Sequence, residues 1–160
     1  KSELNAVYLG IESQEHLLES YQELQKNLPG DALLASMIES NGIEMILGMT
    51  TDQQLGPMIT IGFGGYYAEA LKDAVTLMPP FTAETAKTAI KSLRMKSLLD
   101  GYRGTDPVDI NAFAQMASVF SLIAIEFKGQ ISEIDINPVI LGKDNCIAVD
   151  ALISLHQQKK

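Results

Sequence analysis

Glu133, Asp135 and Asn137 alternate with Ile134 and Ile136 in the stretch Ile131-Ser132-Glu133-Ile134-Asp135-Ile136-Asn137-Pro138. On a strand, side chains two apart share a face, so the isoleucines point one way and the three oxygen-bearing side chains the other. Gly142-Lys143-Asp144-Asn145 reads as a hairpin loop. Whether two or four residues turn, the returning strand pairs residues whose numbers sum to 287, which sets Asp150 opposite Asn137. Directly opposed Cβ atoms lie roughly 5 Å apart. A carboxylate and an amide oxygen at that separation suit Mg²⁺, which takes one or two carboxylates and fills its shell with phosphate and water. The plainer reading is the solvated outer face of an edge hairpin, and spacing alone favours it.

Other segments offer weaker chemistry. Gly62-Phe63-Gly64-Gly65 follows an apolar run and could bring backbone amides close to a phosphate. It is not the dinucleotide fingerprint, because no third glycine opens a helix, and a bulge or tight bend explains it as well. Arg103, between Gly101 and Gly104, offers an anion contact, although a loop arginine is as often a plain solvated residue. His16 and His156 have no Ser or Cys partner in a recognisable triad and read as solvated residues. Cys146 reads as core.

These residues need a scaffold, and the 160-residue chain can supply one. With 46% apolar and 20% charged residues it has a globular composition. Twenty acidic against 12 basic side chains give a net charge of −8, which argues against nucleic acid as a partner because phosphates need clustered Lys and Arg. A nucleotide needs only a few local donors and a metal. A single cysteine rules out a disulfide framework. No leader peptide and no membrane-spanning run are legible, so the expected setting is cytoplasmic, without a membrane partner.

The pattern predicts a short strand over residues 6–11, then a helix capped by Ser13 with Leu17, Tyr21, Leu24 and Leu28 on one stripe, ended by Pro29-Gly30-Asp31. Asn41-Gly42 is a hairpin signal. Strands follow from Ile43 and from Met58 to Ile61, around a polar turn at Thr50 to Gln54, and residues 67–75 read as another extended piece. Thr82 caps a helix over residues 83–93. Asp109 caps a second helix, on which Val119, Leu122 and Ile125 widen an apolar face and imply deep burial. Residues 131–141 and 146–152 are the closing strands. The fold class is therefore α+β, a mostly antiparallel sheet with helices packed on one side.

Taken in order along the chain, these segments resemble the ATP-grasp domain of NDP-forming acyl-CoA synthetases, the ADP-forming acetyl-CoA synthetase family. The matches are Gly42-Ile43-Glu44 with Gly48, Asp52, Leu55-Gly56-Pro57, Gly62-Phe63-Gly64-Gly65, Glu69-Ala70-Leu71-Lys72-Asp73, Gly101-Tyr102-Arg103-Gly104, Val108-Asp109, Glu133-Ile134-Asp135-Ile136-Asn137-Pro138 and Val149-Asp150-Ala151. The resemblance implies that residues 1–160 are a single domain, the C-terminal lobe of an ATP-grasp domain and a fragment of a larger protein. It implies ATP/ADP and Mg²⁺ as cofactors, with Asn137 and Asp150 holding the metal. Glu44 would lie near the ribose, Gly64 and Gly65 would let backbone approach the nucleotide, and Arg103 would stabilise charge during transfer. The family interconverts acyl-CoA, ADP and phosphate with acid, ATP and CoA through an acyl phosphate and a phosphohistidine. The implied partner is a CoA-binding domain or subunit of the same enzyme. Four positions depart from the family: Lys1-Ser2-Glu3 stands for His-Lys-Thr, Asn5-Ala6 for Gly-Gly, Ala35-Ser36 for Gln-Glu, and Leu152 for Arg. The alternative is a non-catalytic or regulatory domain of the kind fused to protein lysine acetyltransferases.

Overall fold

The computed structural model describes residues 6–38, 42–65 and 71–156. They fall into two compact units, residues 1–39 and residues 40–160.

The first unit is built on helix α1, Gln14–Asn27. Its N-cap is Ser13, whose hydroxyl accepts the His16 N–H at 3.1 Å, and Glu15 sits in the first turn, where the helix dipole favours an acid. Residues 6–11 do not form the expected strand. Gly10 has φ +67, a left-handed turn that a strand cannot carry, and Val7 and Leu9 are exposed. Tyr8 instead lies near Glu23 of α1, and desolvation with that carboxylate beside it raises the phenol above its ordinary range.

The second unit is a six-stranded antiparallel sheet backed by two helices. Its strands are β1 Ile43–Asp52, β2 Gly56–Phe63, β3 Ala74–Leu77, β4 Ile131–Leu141, β5 Cys146–Ala148 and β6 Ala151–Leu155. The order is β3-β2-β1-β4-β5, with β6 also pairing β4. Asn41 and residues 67–70, on which the hairpin signal and part of an expected strand fell, lie outside the described residues. β1 finds its neighbours downstream, in β2 and β4.

One face of the sheet makes the core. Met45, Leu47 and Met49 of β1 and Ile59, Ile61 and Phe63 of β2 are buried there, as alternation predicts. Against them pack helix α2, Ala83–Lys91, through Ala86 and Ile90, and helix α3, Ile110–Glu126, through Phe113, Ala117 and Phe120. Thr82 caps α2 by accepting the Thr85 N–H, and Asp109 caps α3 by accepting the Ala112 N–H at 3.0 Å. The buried hydroxyl of Ser121 accepts the Phe81 N–H at 3.2 Å, which ties α3 to the segment entering α2. Deep burial of α3 is not what the structure shows. Val119 and Leu122 are 57% and 58% exposed, because the sheet and α2 cover only one side of this helix.

β1 and β2 are joined by a three-residue turn, Gln53 to Leu55. Asp52 organises it by accepting the Leu55 and Gln54 N–H groups at 2.8 Å each, and these bonds hold its carboxyl below the usual range. Strand β4 carries a bulge: Met45 stands opposite Val139 and Leu47 opposite Ile136, so Asn137 and Pro138 together face Ile46 alone. The bulge shifts the inward phase from Ile134 and Ile136 to Val139 and Leu141.

Candidate functional site

Five of the six candidate residues lie on or beside the sheet face opposite the core, and Arg103 is the exception. On the hairpin, Leu141 pairs with Cys146, Ile140 with Ile147 and Val139 with Ala148, and each pair sums to 287. The same register continues through Ile136 with Ala151 and Ile134 with Ile153. Between these runs the Asn137 N–H donates to the Asp150 carbonyl at 3.1 Å and the Val149 N–H to the Pro138 carbonyl at 3.0 Å. Asn137 and Asp150 therefore stand opposite each other, both exposed. The Asp150 Oδ1 accepts the Ala151 N–H at 2.9 Å, which restrains the carboxylate. The expected closing strand of residues 146–152 is in fact two, β5 and β6, broken at Val149 and Asp150 opposite the bulge in β4. A bulge beside a break re-aims side chains, and both candidate ligands sit at that irregularity.

The donors fit Mg²⁺. A carboxylate and an amide oxygen are hard ligands, and both residues are exposed. Among the described residues no group of three or more His, Cys, Asp or Glu could hold a metal. An ion at Asn137 and Asp150 would take its remaining ligands from phosphate and water, as Mg²⁺ characteristically does.

On the other side of β1, the Gly64 N–H donates to the Glu44 carbonyl at 2.7 Å and extends the β1–β2 ladder by one pair. That amide is engaged within the sheet, so Gly64 offers close backbone approach rather than a phosphate donor. A side chain at Gly64 would lie 3.2 Å from the Met45 carbonyl, and one at Gly65, where φ is +67, would run into the Glu44 carboxylate. Glu44 pairs with Ile140, three positions from Asn137, or about 10 Å along the strand.

Arg103 stands apart from this group. It occupies a left-handed conformation, φ 54, with its guanidinium 5.4 Å from the centre of the Tyr102 ring. Its loop is closed at the base by the Val108 N–H on the Leu99 carbonyl at 3.0 Å. The loop is tied to the hairpin by the Asp109 N–H on the Gly142 carbonyl at 2.9 Å. That anchor lies five residues beyond Asn137, about 17 Å along β4.

The structure adds two residues that the sequence reading gave no role. Asp135, half-buried, shares the outer face and pairs with Leu152 on β6, so an apolar side chain stands beside this carboxylate. Asp73 is buried, and only its place in a motif marked it.

The ATP-grasp domain family matches residues 1–155. The chain is 35% identical to the beta subunit of the ADP-forming acetate–CoA ligase I of Pyrococcus furiosus, over 97% of this chain and 69% of that subunit. It is 30% identical to the ADP-forming acetate–CoA ligase I of Archaeoglobus fulgidus, over 99% of this chain and 24% of that longer protein. Among solved structures, an acetyl-coenzyme A synthetase of Ca. Korarchaeum cryptofilum in complex with coenzyme A and Mg-AMPPCP superposes with a TM-score of 0.88 at 32% identity. That match covers 98% of this chain and 70% of the other, whose phosphohistidine segment points towards its nucleotide-binding site.

Proposed function

We infer, because this chain belongs to the ATP-grasp family among the ADP-forming acyl-CoA ligases, that it is the nucleotide- and Mg²⁺-binding lobe of an enzyme interconverting acyl-CoA, ADP and phosphate with acid, ATP and CoA. The lobe is the C-terminal portion of an ATP-grasp domain in a larger assembly. Its partner is a CoA-binding domain or subunit, and the phosphohistidine that carries the transferred group lies outside these residues. Asn137 and Asp150 would hold the Mg²⁺ that offsets phosphate charge. Glu44 would meet the ribose, Gly64 and Gly65 would let the nucleotide lie against the backbone, and Arg103 would reach the transferring group once the partner is in place.

The observation that carries this reading is the hairpin that sets Asn137 opposite Asp150 on the face shared with Glu44 and the two glycines. The regulatory alternative has no support from the relatives named above, which are ligases and a synthetase. The test is ATP formation by the full-length protein from ADP, phosphate and a panel of acyl-CoA thioesters. Mg²⁺-dependent ATP that disappears with EDTA is expected, and no ATP from any thioester would overturn the assignment.

A further inference from the structure

Asp73 lies at the entry to β3 and is 6% exposed. A buried carboxylate is costly unless its oxygens are hydrogen-bonded, and here both are. Oδ1 accepts the Arg94 N–H at 3.0 Å and Oδ2 the Met95 N–H at 2.8 Å, in the turn after α2. The exposed Arg94 side chain adds only a loose ion pair, its Nε 3.8 Å from Oδ1. Lys72, just before, takes a left-handed φ of 45, a conformation that non-glycine residues keep only where their surroundings hold it.

The main chain of Asp73 reaches the other way. Its carbonyl accepts the Phe63 N–H at 3.1 Å, and Gly62 is approached so closely that an added Cβ would lie 2.7 Å from the Ala74 Cβ. Phe63 leads directly into Gly64 and Gly65, whose backbone lies against Glu44. One residue thus grips the α2 corner with its side chain and the glycine turn with its carbonyl.

We propose that Asp73 is a positioning residue for the nucleotide site, fixing the backbone of Phe63 to Gly65 against Glu44 so that the two glycines meet the nucleotide at the correct height. This rests on the reading of Glu44, Gly64 and Gly65 as nucleotide contacts. A clamp serving stability alone would lower the melting temperature and leave nucleotide affinity in the surviving folded enzyme untouched.

The test uses the full-length protein with Asp73→Asn, which leaves one acceptor for two N–H groups, and Gly62→Ala, which presses on the same junction from the strand side. Ile90→Val, a core change on α2, serves as a destabilised control. The expected result is a rise of about tenfold or more in KM for ADP, with kcat at saturating ADP within about threefold and KM for the acyl-CoA unchanged. Amide exchange at Phe63 and Gly64 should accelerate in both variants and not in the control. If Asp73→Asn does not fold, Gly62→Ala decides the matter by the same readouts. A lowered melting temperature with unchanged KM for ADP, as in Ile90→Val, would overturn the proposal. Should the parent protein neither bind ADP nor form ATP, the reading of the site is what fails. Unaltered exchange at Phe63 and Gly64 in Asp73→Asn would then dispose of the clamp separately.

Discussion

Asp150 carries the only formal charge in its pairing with Asn137, and Mg²⁺ holds a charged hard oxygen better than a neutral one. Asp150→Asn in the full-length protein should therefore impair Mg²⁺-dependent phosphoryl transfer and leave the fold intact. The side chain is exposed and its Oδ1 bond to the Ala151 N–H can persist, so stability should change by no more than about 1 kcal/mol. Turnover at saturating nucleotide and Mg²⁺ checks this, and wild-type rates in the variant would remove Asp150 from the chemistry. Cys146 makes a different prediction. Burial, with the Asp109 carboxylate adding to it, pushes its thiol up to about 11. At pH 8 its thiolate fraction is roughly a hundredfold lower than that of a thiol at its ordinary value of 9.0, so alkylation of the native protein should be slower by about that factor. The linkage has the matching sign. Below about 9 the stability is full, and it falls as pH rises towards 11 because the folded chain retains a proton that the unfolded chain has released. Native alkylation within tenfold of the denatured rate at pH 8 would mean an open thiol rather than a half-buried one.

The elements divide into those that local chemistry specifies and those that only tertiary contact decides. The caps at Ser13, Thr82 and Asp109 were legible because an oxygen two or three residues before a helical amide is a local signal. The hairpin register was legible because a short loop fixes which residues face each other, so Asn137 and Asp150 could be paired on paper. The bulge at Asn137-Pro138 was not legible, since it exists only relative to the spacing of β1. Nor was the exposed side of α3: Val119 and Leu122 are as apolar as Phe113, and only the position of the sheet decides which are covered. Asp73 escaped because its partners are backbone N–H groups more than 20 residues away, which no side-chain pattern announces. Two neighbouring aspartates turn this contrast into a measurement. Asp109 caps α3 at 3.0 Å, whereas Asp106 makes an exposed ion pair with Lys143 at 3.2 Å. Asp109→Ala should cost about 1 kcal/mol and Asp106→Ala at most a few tenths, read from urea midpoints at constant slope. Equal losses would show that the loop, not the cap, determines the stability of this corner.

At the scale of the whole molecule, the core cluster lies entirely within residues 40–160, from Met45 on β1 to Leu141 on β4. It joins sheet, α2 and α3 into one packed layer pair, and among the described residues every member of it is supplied by that unit. The first unit has a different character: among its described residues only Ser20 is buried, and Leu18 and Tyr21 of α1 are exposed. Stability should therefore be distributed unevenly along the chain, with the second unit opening only when its core opens. A chain of residues 40–160 is expected to fold alone, because a 121-residue domain with one continuous core is large enough to hold without staples. Its urea unfolding should be a single transition, and hydrogen exchange should be slowest in β1, β2 and α3, where the buried side chains concentrate. Phe113→Ala in that chain should remove about 3–5 kcal/mol, since the ring is fully buried between sheet and helix. A broad, non-cooperative transition in residues 40–160, restored to a sharp one when residues 1–39 are present, would show that the first unit completes the core. Persistence of the sharp transition would instead assign folding to the sheet and its two helices, and leave residues 1–39 to a role outside the stability of that unit.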